Sequence, residues 1–109
     1  MNEIRSQIEA RPRTTVTAPA QTSLGLVAAQ LLAQNNARRG LMIQNTGTTV
    51  IKLVLGTETP TQTVYHIALG AATVADDGLG ALYTDDAWLG PVQGISSAAG
   101  GTLVITEIS

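Results

Sequence analysis

Residues 35–56 read NNARRGLMIQNTGTTVIKLVLG, and this stretch decides the fold class. A polar loop leads into an apolar run, a Thr/Gly turn follows at 46–48, and a second apolar run ends at Gly56. Runs of four to eight apolar residues separated by glycine-containing turns are typical of β-strands. The stretch therefore predicts a β-hairpin with strands near 40–46 and 49–55, and it carries no catalytic constellation.

Alternation along these strands predicts which side chains face the core and which face outward. Successive strand residues point to opposite faces of a sheet, so Leu41, Ile43 and Leu53 share the predicted core side. The opposite face is unusually apolar for a monomer, and such a face suggests an interaction site. We predict that another subunit, through Met42, Val50, Val54 and Val104, or the N-terminal arm at residues 1–21 covers all or part of it.

The same pattern extends over most of the chain. Strands are predicted near 22–27, 29–33, 40–46, 49–55, 64–69, 80–84, 91–96 and 102–108. This spacing favours an all-β protein, an antiparallel, jelly-roll-like β-sandwich of about eight short strands. Residues 26–33 are rich in alanine and leave a helix open as the alternative.

Composition limits the core to one small domain of aliphatic residues. The 109 residues include no Cys, no Phe, one Trp and two Tyr, so disulfides and a thiolate metal site are excluded. Aromatic side chains bury roughly 150–250 Å² each. Their scarcity suggests that contacts between subunits supply part of the stability. Without a long apolar run, neither a membrane span nor a signal peptide is predicted.

Residues 1–21 differ from the predicted sandwich at 22–109 and form an expected N-terminal arm. Ile4 and Ile8 would share one face of a short helix, whereas the following prolines favour an extended path. Residues 1–39 carry a net charge of +3 and residues 40–109 carry −5. We expect the arm to bind a partner protein through Ile4, Ile8, Arg11, Arg13 and Val16. Widely spaced arginines without interleaved aromatic residues do not indicate nucleic-acid binding.

Few residues are candidates for chemistry. His66, the only histidine, is interpreted as a residue on a strand face, because one histidine makes neither a zinc site nor a triad. The pairs Asp76-Asp77 and Asp85-Asp86 are interpreted as solvated loops, with calcium binding and acid–base catalysis as alternatives. We therefore expect no enzyme activity, no catalytic residue, no cofactor and no metal ligand.

Two further positions allow a structural and a functional interpretation. Trp88 fits a plug at the edge of the core better than a contact anchor, because the domain has so few large residues. Arg38 and Arg39 could grip a phosphate or a carboxylate. We favour a strand-entry pair whose guanidinium groups bridge to acidic loops.

The Asn35-x-x-Arg38-Arg39-Gly40 block through Asn45, and the Gly90-Pro91 segment with its following strands, resemble small β-sandwich virion proteins of tailed bacteriophages. The resemblance implies a structural protein of the virion, made in the host cytoplasm. It would decorate the capsid by binding across shell subunits, with the major capsid protein or another virion protein as partner. A dimer or trimer is expected, with no binding to nucleic acid or membrane.

Two other functions remain open at this stage. A connector at the neck, tail or fibre attachment would have the same fold. A carbohydrate- or receptor-binding module would instead use Trp88 and the acidic loops around a structural calcium ion.

Overall fold

The computed structural model describes residues 15–109, which form eight β-strands and no helix. None of these described residues belongs to a helix that could cross a membrane. The strands are β1 (Ala20–Leu24), β2 (Ala29–Leu32), β3 (Gly40–Asn45), β4 (Ile51–Leu55), β5 (Ile67–Leu69), β6 (Leu82–Asp85), β7 (Val92–Ser96) and β8 (Gly101–Ile108).

The strands form two antiparallel four-stranded sheets. Sheet A has the order β1-β8-β3-β6, and sheet B has the order β2-β7-β4-β5. Among consecutive strands, only β4 and β5 are neighbours in one sheet; all other connections pass between the sheets. This is the eight-stranded jelly-roll arrangement, which closes one core between two sheets. The predicted all-β, jelly-roll-like sandwich is confirmed.

The predicted hairpin at 40–55 is wrong, although both of its strands exist. β3 pairs with β8 and β6, whereas β4 pairs with β7 and β5 in the other sheet. The turn at 46–48 therefore carries the chain across the sandwich, and Asn45 supports it from inside. The outward residues Met42 and Val54 consequently lie on opposite outer faces of the molecule.

The core lies between the sheets and is aliphatic. Its buried members come from both sheets, with Tyr83 and Trp88 packed at its margin. They are Leu24, Leu41, Ile43, Ile51, Leu53, Leu69, Val92, Leu103 and Ile105. Close sheet packing leaves no room at Gly94, where an added Cβ would lie 2.7 Å from Leu31 Cδ1 and 3.0 Å from Leu24 Cδ1.

The structure decides between strand and helix at residues 26–33 and shows where the first strand begins. Residues 29–32 form a strand, which resolves the open alternative at 26–33 against a helix. The predicted boundary between arm and sandwich falls inside β1, which already begins at Ala20. Residues 15–17 also belong to sheet A, because Thr17 N–H donates to Glu107 O at 2.9 Å and Thr15 exchanges two backbone hydrogen bonds with Ser109.

Candidate interaction surface

Arg38 is buried and joins three segments at one end of the sandwich. Its side chain is 1% exposed. Nη1 donates to the carbonyl oxygens of Trp88 and Gly90 at 3.2 and 2.9 Å, and Nη2 donates to Ala33 O at 2.9 Å. Nε lies 3.4 Å from Glu107 Oε2. Four of the five N–H groups of the buried guanidinium thus contact groups of the chain itself, so Arg38 holds the scaffold together.

Asn35 and Asn45 also hold the scaffold together. Asn35 Nδ2 donates to the same Glu107 oxygen at 2.9 Å and so completes the Arg38 cluster. Asn45, 1% exposed, donates from Nδ2 to Thr49 O at 2.8 Å and to Leu69 O at 3.0 Å, while its Oδ1 accepts from Gly47 N–H. A buried amide with its polar atoms paired fixes the crossing turn.

The acidic pairs lie in loops, where one member of each caps the backbone. Asp77 accepts from Val74 N–H and Leu79 N–H, both at 2.8 Å. Asp85 accepts from Ala87 N–H at 2.7 Å and Trp88 N–H at 2.9 Å. Within residues 15–109, no group of three or more His, Asp or Glu side chains is placed to hold a metal ion. The calcium-assisted sugar site therefore gains no support.

The Tyr83 hydroxyl donates to Asp85 Oδ2 on the inner side of β6. This bond, followed by the two backbone N–H groups, holds the pKa of Asp85 below its usual value. Burial, followed by the same hydrogen bond and the carboxylate charge, raises the pKa of Tyr83 above its usual value. Both shifts favour a neutral phenol beside an ionised carboxylate, an arrangement that stabilises the loop and activates no nucleophile.

His66 and Trp88 extend the scaffold as well. His66 N–H donates to Leu53 O at 2.8 Å, and its Nδ1 accepts from Leu55 N–H at 2.9 Å, so the histidine lengthens the β4–β5 ladder. Trp88 packs against the core, and its Nε1 donates to Pro91 O at 3.0 Å. The interpretation of Trp88 as a plug at the core edge agrees with these contacts.

The outer face of sheet B is covered by the chain itself. Residues 56–66, which we call the cover loop, lie across β4 and β7. Lys52 Nζ donates to Gln62 O and lies 5.1 Å from the centroid of the Tyr65 ring, while Gln62 Nε2 donates to Ser96 O at 2.8 Å. Val54 is only 3% exposed beneath this loop. The loop thus covers the outward strand residue of sheet B, although it exposes Val64 and Tyr65 of its own.

The outer face of sheet A has no such cover among the described residues. The pairing register places Met42, Thr84 and Thr106 side by side on it, and Gln44, Leu82 and Val104 in the next row. Met42 is 37% and Leu82 56% exposed. The bridge between Val16 and Ile108 places exposed Val16 beside the last residue of β8. An exposed apolar surface that spans several strands marks an interaction site.

An open groove of about 460 Å³ runs along one end of this face. Its floor is apolar, from Met42, Ile108 and Gly40. Its margin carries charges of both signs, from Arg39, Asp85 and Asp86. Asp85 is half-buried and accepts three hydrogen bonds from its own chain, whereas Arg39 and Asp86 are exposed.

The predicted contact residues are only partly brought together. Met42 and Val104 share the outer face of sheet A, as expected. Val54 is buried under the cover loop on the other side, and Val50 precedes β4 on the far side of the crossing turn, so the prediction that both belong to that face is wrong. Val16 is exposed beside Ile108. Ile4, Ile8, Arg11 and Arg13 lie outside the described residues.

Sequence reasoning missed two residues of this surface, although the signal was present. Leu82 lies between Ala81 and Tyr83, which face the core margin, so alternation alone would turn it outward. Ile108 has the same parity as Val104 in the last strand. Neither residue was connected to Met42, because strand partners were not known.

No protein-family model and no curated protein matches the chain. One similar solved structure is a chain from Bacillus endospore appendages, which form disulfide-linked pili. The match has 18% sequence identity and a TM-score of 0.49, and it covers 91% of this chain and 90% of the other.

This comparison overturns the predicted function. The matching chain belongs to an endospore appendage and not to a bacteriophage particle, so the prediction of a capsid decoration protein is wrong. The coarser prediction of a β-sandwich agrees with the two sheets of the structure.

Proposed function

We propose that this protein is a structural subunit that assembles with further copies of itself through the outer face of sheet A. The observation that carries the proposal is the difference between the two outer faces. The cover loop buries Val54 on sheet B, whereas Met42 and Leu82 remain exposed on sheet A. Burial of apolar surface is the main favourable term in association between proteins.

The state of the polar residues supports a structural role. Arg38, Asn45 and Asp85 are each bound to backbone groups of their own chain. A catalytic site needs a nucleophile, base or acid placed toward a cleft that holds substrate. The described residues use these groups for loops and turns instead, and the groove beside Met42 and Ile108 has an apolar floor.

A second copy is the partner that the chain itself specifies. Its N-terminal third is basic and its remaining part is acidic, so two copies can bring charges of opposite sign together. Complementary charges guide association and fix its orientation. Homo-oligomers are also the commonest assemblies among soluble proteins.

Sedimentation of the full chain over a range of protein concentrations tests this proposal. We expect wild type to form assemblies larger than the monomer. Met42→Glu places a carboxylate in the exposed face of sheet A and should shift the distribution to monomers. Ala68→Glu is the matched control, since Ala68 is exposed on β5 and its pairing with Lys52 directs it to the outer face of sheet B.

Two results would contradict the proposal. A wild-type protein that stays monomeric at every concentration would exclude self-assembly. Loss of assembly in Ala68→Glu with normal assembly in Met42→Glu would place the interface on sheet B instead of sheet A.

A further inference from the structure

We propose that residues 1–14 of one copy fill the groove at the end of sheet A on the next copy. The inference rests on the proposed self-assembly and names the segment that makes the contact. The groove lies beside Arg39, Met42, Asp86 and Ile108. Four features of the molecule point to this occupant.

The first feature is the direction in which the described chain begins. Residues 15–17 run antiparallel to residues 107–109, with Thr17 bonded to Glu107 and Thr15 to Ser109. Followed backward from Thr17 to Thr15, the described chain therefore reaches Ser109, at the end of the sandwich that carries the groove beside Ile108. Residues 1–14 are joined to the sandwich at this end.

The second feature is reach. Fourteen residues in an extended path span up to about 46 Å, at roughly 3.3 Å per residue. Two sheets that pack face to face lie only about 10 Å apart. The segment is therefore long enough to cross from one sandwich to the groove of another.

The third feature is chemical complementarity. The groove floor offers Met42 and Ile108, and the segment offers Ile4 and Ile8 four residues apart. Both isoleucines can bury apolar surface against that floor, whether the segment is helical or irregular.

The fourth feature is charge. Arg39 and Asp86 flank the groove, and the segment carries Glu9, Arg11 and Arg13. Both signs are present on both sides, so Asp86 can bind an arginine while Arg39 binds Glu9. Arginine is suited to such contacts because its planar guanidinium can pair with a carboxylate in bidentate geometry.

Disulfide trapping between two full-length variants tests the contact directly, because the natural chain contains no cysteine. One variant carries Ile8→Cys, and the other carries Thr84→Cys. Thr84 is exposed and lines the groove. A size tag on one variant separates mixed dimers from like dimers. After mixing and mild oxidation, we expect the mixed dimer to dominate. The matched control Ala68→Cys should give little mixed product with Ile8→Cys.

A second experiment measures assembly of the full chain by sedimentation. The double variant Ile4→Asp, Ile8→Asp should associate at least about a hundredfold more weakly, because two apolar side chains lose their burial. Asp86→Arg should weaken association less, and high salt should reduce that difference since exposed charges are screened.

The outcomes separate this inference from the proposed function. If wild type assembles and the double isoleucine variant assembles equally well, residues 1–14 do not form the contact, although self-assembly stands. If a chain carrying both cysteines yields only an internally linked monomer, the segment fills its own groove and the exchange between copies is wrong. If wild type does not assemble at all, both proposals fail.

Discussion

Arg38 shows how one buried charge can organise a loop-rich end of a sandwich. Its guanidinium donates to carbonyl oxygens of residues 33, 88 and 90, which belong to segments far apart in the chain. Glu107 supplies the opposite charge. Removal of one partner from a buried, hydrogen-bonded pair leaves the remaining polar groups unpaired, and this loss is strongly destabilising.

We therefore expect Arg38→Met to lower the free energy of unfolding by about 3 kcal/mol. Arg39→Met is the matched control, because Arg39 is adjacent but exposed, and its effect should stay within about 0.5 kcal/mol. Urea unfolding followed by circular dichroism measures both. Equal effects of the two substitutions would show that the Arg38 cluster does not hold this end together.

The second prediction concerns Asp85 and the dependence of stability on pH. The folded state lowers the pKa of Asp85, so the carboxylate stabilises the fold above the unfolded value of about 3.9. This contribution is lost as the pH falls from there through the lowered folded pKa. The stability advantage of wild type over Asp85→Asn at neutral pH should therefore shrink in acid.

Urea unfolding at a series of pH values between neutral and strongly acidic conditions measures this effect. Asp86→Asn removes the neighbouring exposed carboxylate and is the control for loss of charge alone. Tyr83→Phe should also reduce the advantage, because the phenol is the first cause of the lowered pKa. Parallel pH curves for wild type and Asp85→Asn would contradict the assignment.

At this scale the sequence indicated residue types but not their environments. Arg38 and Arg39 are identical neighbours, yet one is buried and the other lines the groove. The difference arises from carbonyl groups that only the tertiary topology brings to Arg38, so no local pattern could have separated the two. The prediction that both bridge to acidic loops was too general.

At the scale of strands, glycine, proline and polar pairs marked the boundaries well. β7 was predicted at 91–96 and lies at Val92–Ser96, after Gly90 and Pro91. Strand partners were not predictable in the same way, because the turn at 46–48 suits either a hairpin or a crossing between sheets. The choice depends on β8, which inserts between β1 and β3 from more than fifty residues away.

The cover loop explains why Val54, predicted on an exposed outer face, is buried. Alternation correctly turned it away from the core, but the cover loop then folded over it. Outward orientation and exposure are therefore different properties, and the second depends on long loops whose paths local patterns do not specify.

Val54 and Val104 provide a matched pair for the third prediction. Both are outward-facing valines in central strands, but Val54 is 3% exposed under the cover loop and Val104 is half-buried in the open face. Val54→Glu should lower the free energy of unfolding by about 3 kcal/mol, because it buries an unpaired carboxylate. Val104→Glu should cost less than about 1 kcal/mol in the monomer.

Urea unfolding at low protein concentration, where assembly contributes least, gives both values. In sedimentation at high concentration the order of the two effects should reverse. Val104→Glu should weaken assembly more than Val54→Glu, because it charges the proposed interface. Equal stability losses in the two variants would mean that the cover loop does not seal sheet B.

At the scale of the whole molecule, the core explains why a partner would matter for stability. Among the described residues, the buried core cluster contains no aromatic side chain, and Tyr83 and Trp88 are only partly buried beside it. The stability of a small domain is a narrow balance between burial and conformational entropy. Burial of the open face of sheet A in an assembly would add to a core that is otherwise modest.

The last prediction follows from this coupling. An assembly that binds only the folded state raises its stability by mass action, so the melting temperature of wild type should rise with protein concentration. A change of 1 kcal/mol shifts the melting temperature of a domain near this size by roughly 4–8 °C. A hundredfold increase in concentration should therefore raise it by several degrees. Met42→Glu should melt at a temperature that hardly depends on concentration, whereas Ala68→Glu should behave as wild type. If the melting temperature of wild type does not change with concentration, the sandwich reaches its full stability alone. Its open apolar face is then not used for self-assembly.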